Sequence, residues 1–206
     1  MTLVLAIALS ACGDTSSDSG ETTGTYRVKV VTAEFPAEQR LGETTLMRLG
    51  IRNSGDKTIP ALTVNVSVAG KEGQASTLPF GIRDPSPGLA QPDRPVWVLS
   101  EHYPKLAGSS EPGGAEIASR KTFAFGPLKA GATTEAVWKL SATRTGRYEI
   151  LYQVGAGIGG EARAETAGGN KPNGSFAVEI TEATPEITVN DRGEVVEIDK
   201  PKGYGK

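Results

Sequence analysis

The chain has 206 residues, a formal net charge of −2 and an isoelectric point of about 5.6, so electrostatics give no reason to expect nucleic acid as a partner. It holds one cysteine, one histidine and two methionines, which are too few soft or imidazole ligands for a copper-handling protein. A single thiol also excludes an internal disulfide, and the folded part must depend on its core for stability.

The first twelve residues combine an apolar run with that cysteine. Residues 3–9 are apolar, Ser10 and Ala11 are small, and Cys12 follows. This arrangement resembles the signal of a bacterial lipoprotein, in which cleavage before the cysteine leaves the thiol to carry lipid. The resemblance implies a signal peptide over residues 1–11, lipidation of Cys12 and an extracytoplasmic protein anchored to the bacterial cell membrane. Because no Lys or Arg precedes the apolar run, we expect the true start codon to lie upstream.

A polar segment follows the cysteine. Residues 13–24 contain no apolar side chain, so we expect a disordered tether that, with the lipidated cysteine, covers residues 12–24. Such a coil has a mean reach of roughly 20 Å and would hold the folded part off the membrane. The apolar run before it is too short to span a bilayer, which argues against an ordinary N-terminal helix with an incidental cysteine.

From Thr25 onward, apolar and polar residues alternate with a period of two, as in half-buried β-strands. Turns rich in Gly, Pro and Asn separate the alternating segments, and no amphipathic helix follows the signal. We therefore predict an all-β fold, an antiparallel β-sandwich over residues 25–182. The predicted strands cover residues 26–30, 47–51, 62–68, 136–140, 148–154 and 176–180.

Two segments depart from this alternation. The segment from Pro79 to Glu116 holds seven prolines, which remove donors from a strand ladder, so we expect a long Pro-rich loop insertion. One short strand is predicted within it at residues 95–99, and a loop of this length is often functional. Residues 183–206 are predicted to form a C-terminal hairpin around Asn190–Gly193, followed by a frayed tail from Asp199.

Four stretches carry a family resemblance. They are Arg48–Val68 with its Leu-x-Ile-x-Asn-x-Gly core, the corner Pro127–Thr134, and the strand entries at Gly146 and Gly174. Together they are similar to bacterial immunoglobulin-like surface domains of the type called the cell-adhesion-related domain in bacteria. The resemblance implies an immunoglobulin-like sandwich over most of Tyr26–Glu182. It implies little about function, because this scaffold hosts many roles.

Local chemistry gives its own expectations for these residues. Asn53 and Gly55 suit a turn that needs positive φ. Gly146 allows a tight corner in which the Tyr148 hydroxyl bonds a backbone group, as in a tyrosine corner. Trp138 is most simply a core residue between the two sheets.

No residue set indicates catalysis, a cofactor or a metal site. His102 is the single histidine and lies in a loop. A hydrolase would need partner residues for it, and the sequence identifies none. The run Gly155–Gly160 superficially resembles a dinucleotide fingerprint but lacks the following helix, so we interpret it as a flexible loop. Two glycosylation sequons, at Asn65 and Asn173, are taken as chance in a bacterial lipoprotein.

We therefore expect a lipid-anchored extracytoplasmic module with a binding or structural role, without catalysis and without a cofactor. The candidate partner contacts lie in the Pro-rich loop at Arg94, Trp97, His102 and Tyr103. Besides the membrane reached through the lipid, the expected partner is a protein or the cell wall. The alternatives are an exported hydrolase with a site around His102 and an accessory subunit of an envelope complex.

Overall fold

A computed structural model describes most of the folded part of the chain. The signal, Cys12 and Arg94 lie outside the described residues. All the regular secondary structure in the described part of the chain is β-strand. The described residues contain no helix long and apolar enough to cross a membrane. The predicted all-β class is therefore confirmed. The described residues are 22–69, 80–82, 95–109, 116–117, 121–182, 187–190 and 192–197.

Two sheets face each other across the core. The first has the order β12-β1-β3-β10-β6-β5, with β7 also paired to β10, and the second has the order β2-β13-β11-β4-β9-β8. The strands of the first sheet are β1 (Gly24–Glu34), β3 (Thr44–Asn53), β5 (Phe80–Ile82), β6 (Trp97–Leu99), β7 (Lys105–Leu106), β10 (Thr133–Ala142) and β12 (Ala162–Glu165). Those of the second are β2 (Glu38–Arg40), β4 (Thr63–Val68), β8 (Glu116–Ile117), β9 (Thr122–Ala124), β11 (Gly146–Gly155) and β13 (Asn173–Thr181).

The strand order is that of an immunoglobulin-like sandwich. β1, β3 and β10 occupy the positions of strands A, B and E, while β13, β11 and β4 occupy those of G, F and C. β6 takes the D position beside β10, and the chain then returns to the second sheet as β8 and β9. The predicted fold is therefore confirmed, with one correction: the pairs β1–β12, β2–β13 and β5–β6 are parallel.

Five of the six predicted strands lie within strands of the structure, and the sixth, residues 62–68, begins one residue before β4. Their inward apolar side chains form one core. Trp138 is fully buried between the sheets, as expected. The predicted strand at residues 95–99 is found as β6, but β5, β7 and β8 were not predicted. Much of the Pro79–Glu116 segment, expected as loop, lies outside the described residues.

Asn53 is fully buried at the end of β3, where its side chain organises two loops. Its Nδ2 donates to the carbonyls of Lys57 at 2.8 Å and Leu128 at 2.9 Å, and its Oδ1 accepts from the amide of Gly55 at 3.1 Å. Neither Asn53 nor Gly55 has positive φ, so the expected positive-φ turn is wrong. The amide side chain holds the turn, and no left-handed backbone is needed.

The expected tyrosine corner is confirmed at the start of β11. The Tyr148 hydroxyl donates to the carbonyl of Thr145 at 2.8 Å, and Gly146 has a φ of 136°. A Cβ at position 146 would lie 3.1 Å from that hydroxyl oxygen, so glycine leaves room for the bond.

The C-terminal hairpin is also confirmed. β14 (Ile187–Val189) pairs antiparallel with β15 (Val195–Glu197). In the turn between them, Asn190 Oδ1 accepts from the amides of Arg192 and Glu194 at 3.0 Å each, and Gly193 has a φ of 79°. The predicted tail from Asp199 lies outside the described residues.

We predict that Asn53→Ala lowers the free energy of unfolding by about 1–3 kcal/mol. The Lys57 carbonyl and the Gly55 amide lose their side-chain partner, and the Leu128 carbonyl keeps only its bond from the Ile59 amide. The matched control is Asn65→Ala on the exposed face of β4, which we expect to change it by less than about 0.5 kcal/mol. Urea denaturation of both variants measures the difference. Equal losses would show that Asn53 does not organise the two loops.

Candidate functional site

Trp97, predicted as a surface contact, belongs to the core. Its side chain is fully buried, and its Nε1 donates to Oε1 of Gln39 at 2.8 Å. β6 lies beside β10, with Trp97 opposite Ala142, and this pairing turns the indole between the sheets. The prediction that Trp97 contacts a partner is therefore wrong, because no part of the side chain reaches solvent.

An aromatic chain runs through the core from this indole. The Trp97 ring lies 5.6 Å from that of Tyr148 and 5.8 Å from that of Phe35, measured between centroids. Phe35 in turn contacts Phe176, which packs on Tyr152. Burial raises the pKa of Tyr152 above its usual value. The chain joins an inserted strand to both sheets.

Two of the other candidate contacts, His102 and Tyr103, lie in the turn between β6 and β7, and the third, Arg94, lies outside the described residues. His102 is exposed with a φ of 66°, and no hydrogen bond joins its ring to a described residue. Tyr103 is half-buried, with Lys105 Nζ 5.1 Å from its ring centroid. His102 and Tyr103 are thus neighbours at the surface and remain predicted contacts. In the described part of the chain, no group of three or more His, Cys, Asp or Glu residues could hold a metal ion.

The outward face of the second sheet brings together side chains that sequence analysis did not single out for binding. Gln153 of β11 pairs with Asn65 of β4 on one side and with Asn173 of β13 on the other. Because paired residues in a sheet point to the same side, the three amides form a row across three strands. Leu151 lies between two serines in the next row. We call this surface the amide face: Asn65, Ser67, Leu151, Gln153, Asn173 and Ser175.

The amide face forms an open depression of about 390 Å³, and the described residues that line it are all uncharged. Leu151 is 37% exposed at its centre. Asn65 Nδ2 donates to Thr122 Oγ1 at 3.0 Å, which holds one amide in place. Amide side chains offer both donors and acceptors, so the row can pair with backbone amides or with hydroxyl groups.

A second groove of about 650 Å³ continues from Asn65 and Gln153 to the loop after β11. Thr63 Oγ1 donates to the carbonyl of Gly157 at 3.2 Å and ties this loop to the sheet. The glycine run at Gly155–Gly160 leads into β12, a strand that was not predicted. This groove is charged where the amide face is not, because Arg163, Glu165 and Lys171 line it.

No protein-family profile and no curated protein matches the chain in sequence. Among solved structures, the chain is similar to the CARDB domain of the PF1109 protein from Pyrococcus furiosus, in complex with di-metal ions. The two are 12% identical, with 80% of this chain and 99% of that one covered and a TM-score of 0.40.

Two other structures are equally distant. A cohesin module from a Clostridium perfringens family 33 glycoside hydrolase is 13% identical, with a TM-score of 0.39 and coverage of 79% and 99%. AvmM, which catalyses macrocyclization in alchivemycin A biosynthesis, is 12% identical, with a TM-score of 0.41 and coverage of 78% and 91%. These likenesses concern the fold alone, and a fold does not decide between binding and catalysis.

The sequence contained a signal for the amide face. Asn65 and Asn173 drew notice only as glycosylation sequons, and Gln153 drew none. Asn65 and Gln153 stand at outward positions of predicted strands, where charged side chains are usual, and an uncharged amide at each was the available clue. Asn173 precedes the predicted strand at residues 176–180, so its place in the row was not predicted. The cross-strand register that aligns them follows from pairing across three strands, which a single sequence does not give.

We predict that Trp97→Phe destabilises the fold by about 1–3 kcal/mol, since Oε1 of buried Gln39 loses its donor. Gln39→Met in the same background should restore part of that loss, with a coupling of about 0.5–3 kcal/mol in a double-mutant cycle. Chemical denaturation of the four proteins measures the coupling. Additive losses would mean that the two side chains do not depend on each other.

Proposed function

We propose that the protein is a lipid-anchored, extracytoplasmic module that binds or supports a partner and does no chemistry of its own. The anchor is the cysteine of the signal-like segment, Cys12, and the polar tether joins it to the sandwich. The observation that carries the binding role is the uncharged, exposed amide face of the second sheet.

The outer face of the first sheet is charged at its centre, whereas on the second sheet the charged side chains Arg147, Glu149 and Glu179 lie outside the amide face. The outward face of the first sheet carries Lys29, Arg52 and Lys139, and an ion pair joins Arg48 Nη1 to Glu135 Oε1 at 2.6 Å. Such a face is well solvated on its own. The centre of the amide face instead has neutral polar groups around an exposed leucine, and depletion of charge is typical of the centre of a protein interface.

The partner is a protein or the cell wall, since both offer groups that amides recognise. A peptide presents backbone donors and acceptors, and a polysaccharide presents hydroxyls. A dedicated protein partner would make this chain an accessory subunit of an envelope complex. The turn with His102 and Tyr103 is the competing contact surface, and the two surfaces can be compared directly.

We predict that the protein purified from its native membrane begins at Cys12 and carries added acyl mass. Two or more acyl chains would give a durable anchor, because each buried methylene contributes about 0.8 kcal/mol. Intact-mass analysis of this protein and of a Cys12→Ala variant measures the modification. An unmodified wild-type chain that keeps its first residues would contradict the anchor.

The contact surface is tested by a photo-crosslinking amino acid placed in living cells at Leu151, at His102 or at Lys139. We expect adducts from Leu151, the centre of the amide face, and none from Lys139 on the charged face of the first sheet. Asn65→Ala with Asn173→Ala should reduce the adducts from Leu151 while the circular dichroism spectrum stays unchanged.

The products also identify the partner class. Adducts that a protease removes indicate a protein partner, and adducts that a cell-wall hydrolase removes indicate the cell wall. Adducts from His102 alone would move the contact to the turn between β6 and β7. Equal yields from Leu151 and Lys139 would contradict a specific role for the amide face.

A further inference from the structure

Hydrogen bonds fix the place where the tether joins the sandwich. The Gly24 amide donates to the carbonyl of Glu161 at 3.2 Å, and Thr23 Oγ1 donates to Glu161 Oε2 at 2.8 Å. The Tyr26 hydroxyl donates to the carbonyl of Thr22 at 3.3 Å. The chain therefore enters beside the loop before β12. We call this end, with its loops 54–62, 125–132 and 156–172, the tether end.

The tether and the sandwich have similar lengths. Cys12 and Thr22 are ten positions apart, and any coil of that length has a mean reach of about 20 Å and an extended limit of about 35 Å. β13, with nine residues, spans about 30 Å between the two ends of the sandwich. An anchored chain therefore holds the tether end within about 35 Å of the membrane, and a sandwich standing on that end would hold its opposite end one strand length further away.

Charge distinguishes the two ends. The described loops of the tether end, with β12, expose four basic side chains: Lys57, Lys129, Arg163 and Lys171. Arg27 is also exposed there, with Nη1 donating to the carbonyl of Ala167 at 3.0 Å. The acidic side chains of this end are Asp56, Glu161 and Glu165, so basic groups exceed acidic ones. Ile158, in the same loop as Glu161, is 43% exposed.

The opposite end has the reverse balance. Its described residues include three basic side chains and a larger number of acidic ones. The basic ones are Arg40, Arg144 and Arg147, and the acidic ones are Glu38, Glu43, Glu179 and Glu182. The sandwich is therefore polarised along its long axis, with its more basic end at the tether.

We propose that the tether end lies against an anionic phospholipid surface, with Lys57, Lys129, Arg163 and Lys171 at the headgroups and Ile158 at the boundary. The proposal rests on the proposed lipid anchor at Cys12. Each basic side chain near an anionic surface strengthens the attraction about fivefold, and the tether supplies a high effective concentration. The attraction acts within a Debye length of about 8 Å at physiological salt.

The test uses the lipidated full-length protein in vesicles. With Cys12 acylated, one introduced cysteine is the single free thiol, so a fluorophore can be placed at one site. Ala130→Cys, beside Lys129, marks the tether end, and Ala37→Cys marks the opposite end. The vesicles contain a phosphatidylcholine with a nitroxide on its headgroup, with or without phosphatidylglycerol, and fluorescence quenching reports proximity to the headgroups.

We expect stronger quenching at position 130 than at position 37 when phosphatidylglycerol is present. Lys129→Glu with Lys171→Glu should reduce it, and so should about 1 M salt, which shortens the Debye length to about 3 Å. Equal quenching at the two positions, or quenching that is the same with and without phosphatidylglycerol, overturns the proposal while leaving the anchor intact. Failure of the protein to float with the vesicles overturns the anchor and this proposal together.

Discussion

The rest of the sandwich depends on the contacts that the buried indole of Trp97 makes between the sheets. It comes from an inserted segment, yet it fills the space between the sheets and joins Phe35 to Tyr148. Its hydrogen bond to Gln39 also fixes a polar group of edge strand β2 inside the core. Because an unpaired amide there would cost free energy, the position of the insertion and that of β2 are coupled. Strand β6 is therefore part of the domain and not an appendage on it.

This coupling makes the second sheet a rigid support for the amide face. Phe176 and Tyr152, the last rings of the aromatic chain, lie on strands β13 and β11, whose outward residues form that face. Alternation places the Tyr152 ring on the inside next to Leu151 and Gln153, and the Phe176 ring next to Ser175. The amide row is thus set on long central strands and does not depend on a loop, and such placement holds polar groups in a fixed pattern.

Period-two alternation predicted the long strands, the core position of Trp138 and the C-terminal hairpin, because these follow from local patterns. It failed for Trp97, since a Pro-rich neighbourhood indicated a loop while pairing with β10 turned the indole inward. It also missed β12, whose four residues gain their structure from pairing with β1. The buried role of Asn53 was missed because its partner, the Leu128 carbonyl, is distant in sequence. Each error concerns a contact that tertiary pairing decides.

The amide face and the tether end also constrain each other. The strands that carry the amide row run from the tether end to the opposite end, so a sandwich standing on its tether end holds these strands upright from the membrane. The amide row lies at residues 65, 153 and 173, near the tether end of the strands. A partner on this face would therefore sit beside the domain and close to the headgroups. The charged groove with Arg163 and Lys171 lies next to that row, where a partner and the membrane would meet.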